Sequence, residues 1–297
     1  MRAISTVLRG FGALALAVSA AACSAPDAPS DTAPGMLPDM PELAGIAVPT
    51  FVSLNPCTDA ILVEVAEPEQ ILALSHYSHD PSASSIPQEV ARKFAVTGGT
   101  AEEVFALDPD IVLASTFMQP ASRSALEDLG LLVEAFGIAS DPASSIAQIE
   151  QIAELAGKPQ RGEALALKIT RALAKAEPPI GAKPIDALMW QPGQIVPGEE
   201  TLVGDLMRRT GFASHSASQG LGQADFVSLE RLLANPPELV LVAGRAKGQR
   251  HPLLDKLINT RIEQIDSNML YCGGQTIIRA AERLSAIREK TLGERTE

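Results

Sequence analysis

A twelve-residue pattern occurs twice in this 297-residue chain, 128 positions apart, at residues 102–113 and 230–241. In each copy a glutamate opens a stretch of helix formers that runs into proline; an acidic residue follows, then a run of Ile, Val and Leu. Proline lacks the N–H a helix needs and pushes the residue before it toward extended geometry, so each helix must stop there. The apolar run after the stop suits a strand buried on both faces. One helix-turn-strand unit therefore serves two halves of the chain. This predicts an α/β protein of two similar lobes, each with a central sheet, and a ligand cleft between them.

The N-terminus is expected to set the compartment. Arg2 and Arg9 precede an apolar run over residues 10–22 that is too short to anchor a bilayer, so residues 1–22 read as a signal peptide. Small residues directly before Cys23 resemble a bacterial lipobox, in which that cysteine carries lipid; ordinary cleavage near Ala22 or Ala25 is the alternative. Residues 23–48 are rich in Pro, Ala, Asp and Ser and read as an extended tether. The expected location is periplasmic, held to the membrane only through the lipid. With a net charge of −12 and no basic cluster, the chain is a poor match for nucleic acid. Once Cys23 is set aside, Cys57 and Cys272 remain, and an oxidising compartment favours pairing them.

Along the rest of the chain, strands are expected at residues 50–54, 70–74, 95–97, 111–114, 131–136, 185–190, 239–243 and 262–265. Asn55 with Pro56 is a strong helix start, which puts Cys57 in a first helical turn after a strand, at the sheet edge where ligands bind in open α/β folds. Residues 49–157 form the expected first lobe and 181–297 the second. Between them, residues 158–180 carry a connecting helix; the 18 residues 159–176 would extend about 27 Å at a rise of ~1.5 Å per residue.

These pieces together resemble a known family, the helical-backbone periplasmic binding proteins of ABC importers, in the group that delivers cobalamin, haem and ferric siderophores. The likeness rests on Ser53 to Asp59, on the two copies of the repeated unit, on the single connecting helix, and on Cys272-Gly273-Gly274 before the last helix. It covers nearly the whole span after the tether, and it departs from the family at Gln275, where a proline is usual. The resemblance implies a monomeric receptor that is not an enzyme, needs no cofactor or resident metal, and takes a metal chelate as small-molecule cargo. It also implies an ABC permease dimer as partner. In the family, a glutamate on the helix of each unit docks into arginine pockets of the permease, and Glu102 and Glu230 fall on those positions.

Candidate ligand contacts follow strands at the cleft edge: His76, Tyr77, His79 and Phe117 in the first lobe; Trp190, Gln191, Arg245 and Tyr271 in the second. A large planar ligand needs aromatic walls and a few fixed polar groups. Trp190 could equally sit in the core, and each histidine could be a hydrogen-bonded loop residue. Two other functions compete. A free zinc or manganese receptor needs several converging ligands, and only four histidines exist. An exported thiol enzyme or hydrolase could use Cys57 with His76, but no nucleophile elbow, phosphate loop or dinucleotide fingerprint accompanies them.

Overall fold

The computed structural model describes residues 49–222, 224–244, 249 and 251–294. The signal-peptide, tether and Cys23 readings, and the ligand reading of Arg245, fall outside the described residues. The first lobe holds a parallel sheet of β1 (Phe51–Ser53), β2 (Ile71–Ser75), β3 (Val96–Thr97), β4 (Ile111–Ser115) and β5 (Leu132–Phe136), in the spatial order β3-β2-β1-β4-β5. The second lobe holds β6 (Ile185–Trp190), β8 (Phe212–Ser214), β10 (Leu239–Ala243) and β11 (Arg261–Ile265), also parallel, in the order β11-β10-β6-β8. Read from β2 and from β8, the two sheets have the same winding: second strand, first strand, then the strand of the repeated unit, then the last. The doubled pattern thus lands on β4 and β10, each an interior strand beside that lobe's first strand.

Local chemistry explains the repeated elements. Helix α3 (Ala101–Leu107) is capped by the Thr100 hydroxyl and ends at Asp108 in left-handed geometry before Pro109; α9 (Leu229–Ala234) is capped by Ser228 and ends at Asn235 before two prolines. Asp110 then ties the start of β4 to the start of β1 by accepting from the Thr50 N–H and hydroxyl at 2.8 and 2.7 Å. The apolar residues of the strands that follow are buried, and only Ser115 at the end of β4 is half-buried. The Glu103 carboxylate accepts from the Thr97 hydroxyl and the Gly98 N–H, and these bonds hold it below the usual carboxylate range.

Between residues 210 and 228 the sequence offered no element, yet β8, a helical turn α8 (His215–Ser218) and the short β9 (Asp225–Phe226) lie there. β9 pairs antiparallel with β7 (Ile195–Val196). Strands of two or three residues are too short to show a period, and only their pairing partners define them.

The connecting helix α6 (Pro159–Ala176) is less a free strut than a packed element. It lies against α5 (Pro142–Leu155) of the first lobe and against the last helix, α10 (Thr276–Gly293), of the second. Gly162 allows the first contact: a Cβ there would stand 2.7 Å from that of Ala153. On α10, buried Arg288 donates to the carbonyls of Ala176 and Thr210 at 2.8 and 2.9 Å, clamping the end of α6 to the second lobe.

Candidate functional site

In both sheets the strand order reverses beside the first strand, and open α/β sheets bind ligands outside the carboxyl ends of the strands at such a point. A cavity of about 360 Å³ opens there between the lobes. From the first lobe it is lined by Asn55 and Cys57 after β1, by Ser115 at the end of β4, and by residues 137–140 after β5. From the second lobe it is lined by residues 200–203, where α7 (Leu202–Arg209) begins, and by residues 270–273. Glu200 is the one formally charged residue among the described lining; Asn55, Ser115, Ser140, Gln148 and Thr201 supply neutral hydrogen-bonding groups.

Two bonds hold the lobes together beside the cavity. Cys57, in the first turn of α1 (Pro56–Val65), is joined to Cys272 by a disulfide with 5.1 Å between the Cα atoms. Two residues on, the Gly274 N–H donates to the Ser145 hydroxyl of α5 at 2.8 Å. A Cβ on Gly273 would stand only 2.2 Å from that hydroxyl, so glycine is required for the approach. Farther along α10, Arg279 donates to the Ser85 carbonyl of the first lobe.

The residues singled out from sequence separate into groups. Tyr271 lines the cavity and is 45% exposed. Phe117, 72% exposed, and Tyr77, 44% exposed, stand on the same sheet edge, after β4 and β2. His76 is exposed, and its ring lies 4.0 Å, centroid to centroid, from that of Tyr77. His79 is tied to the fold by Nε2, 3.1 Å from the Ala91 carbonyl, which requires the proton on that nitrogen. Gln191 is half-buried in the turn that leads to β7, outside the cavity lining.

Trp190 requires correction. Its ring is fully buried among Leu188, Val227, Leu232, Val240 and Val242, and its indole N–H donates to the Val227 carbonyl at 2.9 Å. The side chain presents no surface to the cleft and belongs to the second lobe's core. The end of a strand was legible; which face the last side chain takes was not. The thiol-enzyme alternative also fails at Cys57, whose sulfur is committed to the disulfide.

Sequence reasoning missed the two loop walls, residues 137–140 and 200–203, and Ile138 in particular, which is 71% exposed while lining the cavity. The available signal was position: residue 137 directly follows β5, as 115 ends β4. Glu102 and Glu230 are both exposed on the first turns of α3 and α9, outside the cavity lining.

Beneath the His76–Tyr77 pair lies Asp59, fully buried on α1. Burial pushes its carboxyl up to about 6, although hydrogen bonds from Ser53, Ser75 and Ser78 act in the opposite direction. Among the described residues no group of three or more His, Cys, Asp and Glu side chains could hold a metal ion.

Two α/β lobes of the same winding, one connecting helix and an interlobe cavity define a receptor architecture. The family model described as periplasmic binding protein matches residues 51–267. The chain belongs to the periplasmic binding protein family. Members are substrate-binding transport proteins, and membership implies a periplasmic or extracellular location. No curated protein matches the chain in sequence. Among solved structures, it is similar to the periplasmic haem-binding protein HutB of Vibrio cholerae, at 21% identity and a TM-score of 0.65, over 80% of this chain and 98% of that one. The haem-binding protein RhuT from Roseiflexus sp. RS-1 shares 20% identity at a TM-score of 0.64, over 82% and 98%. The vitamin B12 binding protein BtuF of Vibrio cholerae shares 16% at 0.64, again over 82% and 98%. At these identities the likeness is one of fold.

Proposed function

We propose that this periplasmic binding protein captures a metal chelate of the cobalamin, haem or ferric-siderophore type between its lobes and delivers it to an ABC permease dimer. The observation that carries the reading is the row of exposed apolar side chains along the first lobe's sheet edge. In spatial order Tyr77, Phe117 and Ile138 follow β2, β4 and β5, and Tyr271 stands on the second lobe's side of the cavity. Large apolar groups left in water along a cleft edge mark a binding surface. Their spread over three strands suits a broad, flat ligand better than a bare ion, for which the described residues offer no converging donors. The solved haem-binding and vitamin B12 binding proteins that share the fold support the same class of cargo.

In this reading Glu102 and Glu230 meet the permease, one per lobe, and Cys23 carries the lipid that keeps a monomeric receptor at the membrane. The test is titration of the purified protein with hydroxocobalamin, hemin and a ferric siderophore, followed by visible absorption. Saturable binding of at least one at micromolar concentration or tighter is expected, with weakening in Phe117→Ala and Tyr271→Ala. Failure of all three to bind would overturn the chelate-receptor reading.

A further inference from the structure

The pair of exposed rings at the cleft edge is held from below by one carboxylate. Asp59 Oδ2 accepts the hydroxyl of Ser75, the last residue of β2, and at 2.7 Å the hydroxyl of Ser78, while the Ser75 N–H lies 3.1 Å from the same oxygen. His76 and Tyr77 sit between these two anchors, in the 3-10 turn His76–His79. All three anchoring residues are buried, whereas both rings are exposed. Gln88 holds the same turn from the other side by donating to the Ser78 carbonyl at 3.0 Å.

We infer that Asp59 is a positioning residue for ligand capture, whose buried carboxylate fixes the His76–Tyr77 pair at the cleft edge through the hydroxyls of Ser75 and Ser78. The assignment rests on the proposed chelate site, since it gives these two rings a ligand to meet. A buried carboxylate without an ion pair among the described residues is a costly way to brace a turn, and an amide or an apolar residue would fill the space at lower cost. What the ionised form adds is acceptor capacity. One oxygen takes two hydroxyls and an N–H at once, which stops the turn from rotating about either serine. The exposed rings are thereby ordered before a ligand arrives, and a ligand that meets ordered contacts loses less entropy on binding.

The chain contains two tyrosines, Tyr77 and Tyr271, so carbon-13 tyrosine labelling gives a two-signal probe with its own control. In ligand-free Asp59→Asn the Tyr77 ring signal should shift or broaden, because its stacking with His76 is no longer fixed, and the Tyr271 signal should stay in place. Amides of residues 76–79 should exchange roughly tenfold faster, while the denaturation midpoint at pH 7 does not fall. Affinity for whichever of hydroxocobalamin and hemin the wild type binds should fall about five- to tenfold. Ser78→Ala removes one anchor, leaves the carboxylate in place and covers the case in which Asp59→Asn does not fold; smaller changes of the same sign are expected.

An unmoved Tyr77 signal with unchanged exchange in both variants would overturn the assignment. So would faster exchange spread over the whole first lobe, which is the mark of a merely structural carboxylate. If the wild type binds neither probe, the chelate reading fails by itself, and the Tyr77 signal still decides whether Asp59 orders the pair.

Discussion

Burial raises the carboxyl of Asp59 from its ordinary 3.8 to about 6, so between these values the folded protein holds a proton that the unfolded chain has released. Stability from this group is fully present below pH ~4 and is lost as pH rises through about 6, with a cost on the order of 3 kcal/mol above that. Urea denaturation across pH 4 to 7 should show that decline in the difference between the wild type and Asp59→Asn, because the lowered carboxyls of Glu67, Asp80, Glu103, Asp141 and Glu230 act with the opposite sign in both proteins; a difference that stays flat or rises over the same range would contradict the assignment. At Trp190 the expectation is of the opposite kind. Its ring is fully buried and its N–H bonded, so Trp190→Ala should cost about 3–5 kcal/mol in a denaturant melt. Ligand affinity of the folded variant should match the wild type, because no atom of the ring reaches the cleft.

Helix α6 shows how one residue controls an element. Glycine inside an exposed helix usually costs about 1 kcal/mol against alanine, so Gly162→Ala would be expected to stabilise on propensity alone. Here the added Cβ would meet Ala153 at 2.7 Å and lie 3.5 Å from the α5 backbone at Glu150. Backbone cannot give way as a flexible side chain can, so overpacking should win, with a net loss of about 1–3 kcal/mol in thermal or denaturant unfolding. A variant more stable than wild type would mean that α5 and α6 slide apart freely. The repeated unit behaves consistently at this scale: α3 and α9 each start at a hydroxyl cap and stop before proline, and each leaves a glutamate exposed in its first turn.

Across the whole molecule, the lobes are joined by covalent and packed connections at separate places: α6, the Cys57–Cys272 bond, the Gly274–Ser145 contact and the Arg279–Ser85 bond. Such a molecule should open little. The disulfide spans 215 residues, and its removal in the Cys57→Ser, Cys272→Ser double variant should cost roughly 2–4 kcal/mol in unfolding. Solution scattering of the wild type should then be nearly the same with and without ligand, whereas the double variant should show a wider ligand-free state. A wild type that closes by several ångströms on binding would refute the rigid picture. The proposed docking is tested at the same scale: Glu102→Lys and Glu230→Lys should abolish import into cells while calorimetric affinity for the ligand stays within about twofold, since both residues stand outside the cavity lining. Weakened ligand binding in either would move that glutamate from the permease surface to the ligand site.

What the sequence determined by itself is local or repeated. Caps at Asn55, Thr100 and Ser228, proline stops, and buried strands after them are written in neighbouring residues, and the second copy of the unit disclosed the second lobe. Strand order, the faces of side chains and the cavity walls came only from tertiary structure. Trp190 ends a strand beside the cleft edge, yet it faces the core because Val227 offers the carbonyl its N–H needs, a partner 37 positions away that no local pattern reveals. The 137–140 and 200–203 walls meet only because parallel winding brings the ends of β5 and the start of α7 to one crevice. Asp59 reads in sequence as an ordinary acid in a first helical turn; folding β2 beside β1 buries it under two serines and gives it a job. Hydrogen bonding and proline sterics act within a few residues and can be read along the chain, whereas burial is a property of what other segments bring near.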